Sequence, residues 1–288
     1  MSNYPQTLRD ELAKYNYAPT GNIEWDRAVL HTLRQQNKPD YCAMVAIDNV
    51  MRKVQKEIDA EQKSKVNIAD PAVFNAHIQL WKQIANKILR SQRREFVVDD
   101  NNHEVIRFLM YYFHESPLAE EVFPGRGYKI HKNVMLQGKA GVGKTLLMQV
   151  FSAYLKYINS PMQFECISVT QMVNHFSLCN NIDLYTYNED NSKAFQIKPF
   201  HLCLNDIGLE NRPFYGIDTT TVVNDFLHAR NELWSIQCDG ADKKFAHLTT
   251  NLTTADLAKV FNGKDPYGRT IDRFKTYNVI PLSGESRR

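Results

Sequence analysis

Eight consecutive residues, Gly138-Lys139-Ala140-Gly141-Val142-Gly143-Lys144-Thr145, carry the most specific chemistry in this 288-residue chain. They form an uninterrupted G-x-x-x-x-G-K-[ST]. Gly138, Gly141 and Gly143 let the backbone curl so that successive N–H groups face inward around a phosphate. Lys144 can then reach the β and γ phosphates of a nucleotide, and the Thr145 hydroxyl can ligate Mg²⁺. Ala140, Val142 and Leu146 complete the binding segment. The apolar run NVMLQ (133–137) precedes the loop and the helix-forming LLMQVFSAYL (146–155) follows it. Such a helix offers its positive N-terminus to the same anion.

A phosphate-bound metal needs acidic support at the end of a neighbouring strand. Leu202-Cys-Leu-Asn205-Asp206-Ile-Gly208 suits that place, being a buried run that ends in polar residues. The usual arrangement has two acids there, one for the metal and one to polarise an attacking water. Here the first is Asn205, whose amide oxygen can accept from a metal-bound water but brings no charge. Two assignments stay open. Either Asn205 serves the metal and Asp206 the water, or Asp206 serves the metal and the base lies elsewhere, at Glu210. A third run, Phe245-Ala-His-Leu-Thr-Thr250-Asn251, ends in an amide able to bond a γ-phosphate or its attacking water. Asn251 also suits the start of a turn.

These groups need strands and helices to hold them. Short apolar strands at 133–137, 163–167, 200–204, 245–249 and 277–282 alternate with helical stretches at 104–112, 146–157, from about 170, and at 219–234. Repeated β-α-β of this kind predicts a parallel sheet covered on both faces. The first third reads instead as three or four helices. Met44, Ile47, Met51, Val54 and Ile58 recur in steps of three and four, as do Phe74, Ile78, Trp81, Ile84 and Ile88. Asp70-Pro71 is a plausible helix start. The expected division is a helical partner- or DNA-binding module at 1–95 and an α/β domain at 96–288.

Composition narrows the class. With 43% hydrophobic residues and 11% aromatic, the chain can bury a core and is not generally disordered. No apolar run approaches a membrane span and the N-terminus is too polar for a signal peptide, so a cytoplasmic protein is expected. Five cysteines without a C-x-x-C pair make a disulfide framework or structural zinc site unexpected. The net charge of +3 is no polyelectrolyte footprint. Basic clusters do occur locally, at Arg52, Lys53, Lys56 and Lys63 and at Lys87, Arg90, Arg93 and Arg94. They suit either phosphate contacts or solvated helix faces.

The ordered series GKAGVGKT, LCLNDIGLE, HLTTNLT and YGRTIDRFKTYNVIPLSGESRR resembles the AAA+ ATPases of the DnaC/IstB group, the replicative helicase loaders and transposition helpers. The resemblance spans roughly residues 96–288. It implies a P-loop AAA+ parallel sheet flanked by helices, without the usual helical lid, beside the small N-terminal helical domain. It implies ATP and Mg²⁺ as cofactors, with Asn251 as the sensor that reads the γ-phosphate. Arg273, with Arg269 beside it, matches an arginine finger that reaches a neighbouring subunit, and Arg288 is the likelier match to a second sensor. Assembly on ATP into a homo-oligomer, a replicative helicase as partner and binding of single-stranded DNA follow from the same likeness. Asn205 departs from the family's acid, which bears on hydrolysis more than on nucleotide binding. A transposition helper, or an ATP-binding switch that barely hydrolyses, are the alternatives.

Overall fold

Five short apolar runs pair side by side, all parallel, in the order β2-β3-β4-β1-β5. The strands are β1 (Asn133–Gln137), β2 (Glu165–Ser168), β3 (Leu202–Ile207), β4 (Ala246–Thr250) and β5 (Tyr277–Pro281). The computed structural model describes residues 5–35, 47, 50–52, 54, 66–188, 199–208, 218–236, 244–262 and 268–287. Helices among them are α1 (Gln6–Ala13), α2 (Ile23–Gln35), α3 (Pro71–Leu89), α4 (His103–Phe113), α5 (Lys144–Tyr157), α6 (Val169–Cys179), α7 (Thr219–Ile236), α8 (Thr254–Asn262) and α9 (Arg269–Arg273). No described helix is long and apolar enough to cross a membrane.

Alternation along each strand divides the core into two layers. Val134 and Leu136 of β1, with Cys203 of β3, join the cluster formed with α3, α4 and α5. Met135, Leu202, Leu204 and Leu248 face the other way, into the cluster formed with α6, α7 and α8. Both faces of the sheet are thus covered, which is why its strands read as continuous apolar runs. This is the mixed α/β architecture of a P-loop sheet flanked by helices.

The chain divides into two compact units, Met1–Lys65 and Val66–Arg288. The division falls before α3 and not at residue 95, where the sequence texture changes. The cause is packing. Trp81, Ala85 and Leu89 of α3 are buried in the α/β core, with the Trp81 ring 5.3 Å from Phe151 on α5 and 4.9 Å from Phe96. Periodicity shows that a helix has an apolar face, but not which domain that face covers. Asp70 caps this helix as expected, its carboxylate accepting from Ala72 N at 2.7 Å with Pro71 in the first turn. In the first unit α1 and α2 close on Leu8, Leu12, Val29, Leu30 and Leu33. There Asp26 is fully buried and accepts from Thr20 N at 3.1 Å and Thr20 Oγ1 at 2.9 Å. Of the first basic cluster, Lys53, Lys56 and Lys63 lie outside the described residues.

Candidate functional site

β1 ends at Gln137, the glycine-rich loop follows at once, and α5 leaves it at Lys144 with Gly143 as N-cap. Close approach explains the first glycine. A Cβ on Gly138 would collide with the carbonyl oxygen of Leu282, and Leu282 N donates to Gln137 O at 2.7 Å. Gly141 has φ 85°, a conformation that side chains rarely adopt. Its carbonyl accepts from Arg287 N at 2.9 Å, and Ser286 packs where its Cβ would be. The segment after β5 is therefore bonded along the outside of the loop.

Strand order brings the other groups to the same edge. β4 lies between β3 and β1, with Gln137 opposite Thr250, so Asn251 emerges beside the loop. Lys144 is buried, and its Nζ donates to Gly138 O at 2.8 Å, Lys139 O at 2.9 Å and Asn251 Oδ1 at 2.6 Å. The β3–β4 register shifts between Leu204 and Ile207, and Asp206 takes a left-handed φ of 64°. Aspartate tolerates that region better than most residues. Its backbone N–H donates to Thr249 Oγ1 at 2.9 Å.

A cavity of about 510 Å³ opens here, within the usual range for a ligand pocket. Gly141, Val142, Gly143, Lys144, Thr145, Leu146, Asp206 and Asn251 line it, so the structure brings these expected residues together. Gly138 and Ala140 belong to the loop without lining the cavity. Asn205 does not line it either. That residue is buried in the sheet, where Oδ1 accepts from Thr249 Oγ1 at 3.2 Å and faces Cys203 Sγ at 3.7 Å. Arg269 and Arg273 are elsewhere, lining an open depression of about 490 Å³ with Asn231 and Asp272. Arg273 Nη1 donates to His228 Nε2 at 3.1 Å. Glu210 and Arg288 lie outside the described residues.

The cavity also holds groups that sequence reasoning missed. Leu89, Phe96 and Val97 give it an apolar wall, and Arg94, Asp99, Asn102 and Arg287 add polar groups. Arg287 Nη2 bonds both Asp99 oxygens, at 2.9 and 2.7 Å, while Nη1 donates to Val97 O at 3.3 Å. Burial pushes the Asp99 carboxyl up. The hydrogen bonds and charge of Arg287, with the N–H groups of Asn101 and Asn102, outweigh it and hold the group below the carboxylate range. Nothing in the spacing of Asp99 and Arg287 signals their pairing. Their meeting depends on β5 lying beside β1 and on its exit segment running back past the loop.

The site suits a nucleoside triphosphate with a divalent cation. A glycine cradle and an ammonium fit phosphate oxygens, the Thr145 hydroxyl and Asp206 carboxylate are hard oxygen donors of the kind Mg²⁺ prefers, and the apolar wall fits a base. No family model matches the chain, and no curated protein matches it. A solved structure from Streptococcus pyogenes serotype M3, described as a candidate primosome component, is similar at 17% identity and a TM-score of 0.44. The match covers 67% of this chain and 85% of that one.

Proposed function

We propose that the protein binds ATP with Mg²⁺ and hydrolyses it, as an AAA+ ATPase of the helicase-loader type. The observation that carries this reading is the convergence of Lys144, Thr145, Asp206 and Asn251 on one cavity. The loop from Gly138 to Thr145 would hold the phosphates through its amides. Lys144 would exchange contacts with neutral carbonyls for a phosphate oxygen. Thr145 and Asp206 would hold the metal, whose chemistry is to neutralise charge on the phosphoryl group. Asn251 accepts from Lys144 through Oδ1, which leaves its amide N–H groups to orient an attacking water. Arg287 stands ready on the cavity wall in the role that the resemblance gave to Arg288.

Arg273 and Arg269 line a depression that shares no residue with the nucleotide cavity, which suits action on a neighbouring copy. Assembly on ATP through Arg273, a replicative helicase as partner and single-stranded DNA as ligand complete the reading. A transposition helper differs in its partner, duplex DNA with a transposase, and a pull-down of helicase against transposase separates the two. One observation favours the alternative of a slow switch. Asn205 is turned into the sheet and adds no charge to the cavity, leaving Asp206 as the strand-end carboxylate that lines it.

The test is ATP turnover by the purified chain, with and without single-stranded DNA, using Lys144→Ala as the blank. Turnover above the blank that responds to DNA supports the loader reading. Tight binding without turnover supports the switch. Absence of ATP binding by the wild-type chain overturns both.

A further inference from the structure

We propose that the open groove at the C-terminal end of α3 holds the sugar-phosphate backbone of a nucleic-acid strand and is coupled to the nucleotide cavity through Arg94. The groove measures about 640 Å³, and Lys87, Arg90, Arg93 and Arg94 line it with Gln83 and Glu95. All four cations are exposed, and none has an acidic partner at ion-pair distance among the described residues. Elsewhere Arg34, Arg107, Lys129, Lys156 and Lys259 are each paired with a carboxylate.

The backbone gathers these charges. Lys87 and Arg90 stand about one turn apart on the helix. The chain then tightens into a 3₁₀ turn at Arg90–Gln92, and Arg93 takes a left-handed φ of 54°. Arg93 N donates to Arg90 O at 3.1 Å and Arg94 N to Leu89 O at 3.3 Å, so the reversal is bonded on itself. It returns Arg93 and Arg94 to the groove of Lys87 and Arg90. A second pin is Asn86, whose Oδ1 accepts from Phe96 N at 2.8 Å. The negative end of a helix carries roughly half an elementary charge, too little to account for four cations.

The lining selects the partner. No apolar side chain lines the groove, whereas a protein partner would need an apolar centre. Three of the four cations are guanidinium groups, which match phosphate oxygens in pairs, and Gln83 adds an amide donor. A strand of phosphates is the hydrophilic polyanion that fits. Arg94 and Glu95 line this groove and the nucleotide cavity alike, so charge arriving in one is felt in the other.

The experiment is fluorescence anisotropy of labelled single-stranded DNA, RNA and duplex with the full chain. The tightest of the three identifies the source of the backbone. About four phosphate contacts on a single strand predict a salt slope near −3, or roughly 50-fold weaker binding for a roughly fourfold rise in salt. Lys87→Gln with Arg90→Gln should weaken the strand about tenfold or more and halve that slope, while nucleotide binding is unchanged because neither side chain lines the cavity. Arg90→Lys should keep the slope. Strand binding untouched by the double substitution overturns the proposal, as does polyglutamate or an anionic vesicle bound in the strand's place. The coupling rests on the nucleotide reading. ATP should shift strand affinity at least about threefold, and Arg94→Gln should abolish the shift. A shift unchanged by Arg94→Gln overturns the coupling. Lys144→Ala should lose ATP binding yet keep the strand, so failure of either reading shows separately.

Discussion

Lys144 Nζ stands 2.6 Å from Oδ1 of Asn251, tying the glycine-rich loop after β1 to the end of β4. Among the acceptors of the lysine are two loop carbonyls and this amide. Asn251→Ala should therefore lower ATP turnover about 100-fold with a change in affinity below about tenfold, as for other positioned polar groups in active sites. Asn251→Asp should instead weaken nucleotide binding, by pairing the lysine with a fixed anion. Nucleotide titration beside steady-state turnover separates the two effects.

Arg287 joins the cavity wall to Asp99. Removing its guanidinium should raise the ATP dissociation constant about tenfold, or about 1.4 kcal/mol. The ion pair also carries a pH signature. The folded Asp99 carboxyl is held below its ordinary value, so its contribution to stability is present above that value and lost as pH falls through the folded one. Urea midpoints measured from neutral pH down to about 3 should show that loss in the wild type and less of it in Asp99→Asn.

A half-buried cluster behind the loop helix should make the fold sensitive to mild acid. His114 Nδ1 donates to Met110 O at 2.8 Å, so its Nε2 accepts from the Tyr154 hydroxyl at 3.2 Å. His77 Nδ1 lies 2.5 Å from the same hydroxyl. Burial lowers His114 from 6.5 to about 4. Between those values the unfolded chain binds a proton that the folded chain does not, so stability rises with pH across the window and is lost on acidification. His114 alone should cost about 2 kcal/mol between neutral pH and about pH 5. His114→Gln should flatten that slope in urea titrations, whereas an unchanged slope would place its origin elsewhere, as at buried His201.

The position of α3 predicts where the chain can be cut. A chain beginning at Val66 should fold and bind ATP, whereas one beginning at Phe96 should lose its compact state. It would lack the faces of Trp81, Ala85 and Leu89 that complete the core. Trp81→Ala in the full chain should cost about 3–5 kcal/mol. Circular dichroism and thermal melting decide both points.

Much of this was legible in the residues. The glycine-rich octet marked a tight loop between a strand and a helix, and short apolar runs set between helical periodicities announced a covered parallel sheet. The strands overlap the expected places with ends shifted by at most three residues, because short apolar runs bounded by turn residues are too short for buried helices. Asp70-Pro71 marked a helix start by local chemistry alone. Less legible was the alliance of α3, whose apolar stripe fits any partner of the right shape.

The sequence by itself determined the local elements and the types of group that could serve a phosphate, since both follow from interactions within a few residues. Only the tertiary structure decided which of them share a cavity. Strand order sets Asn251 against Lys144, and the shifted register at Leu204–Ile207 goes with Asp206 on the cavity and Asn205 in the sheet. The exit from β5 brings Arg287 to Asp99 across most of the chain. Such meetings are fixed by how layers pack and strands pair at long range, and no local spacing records them.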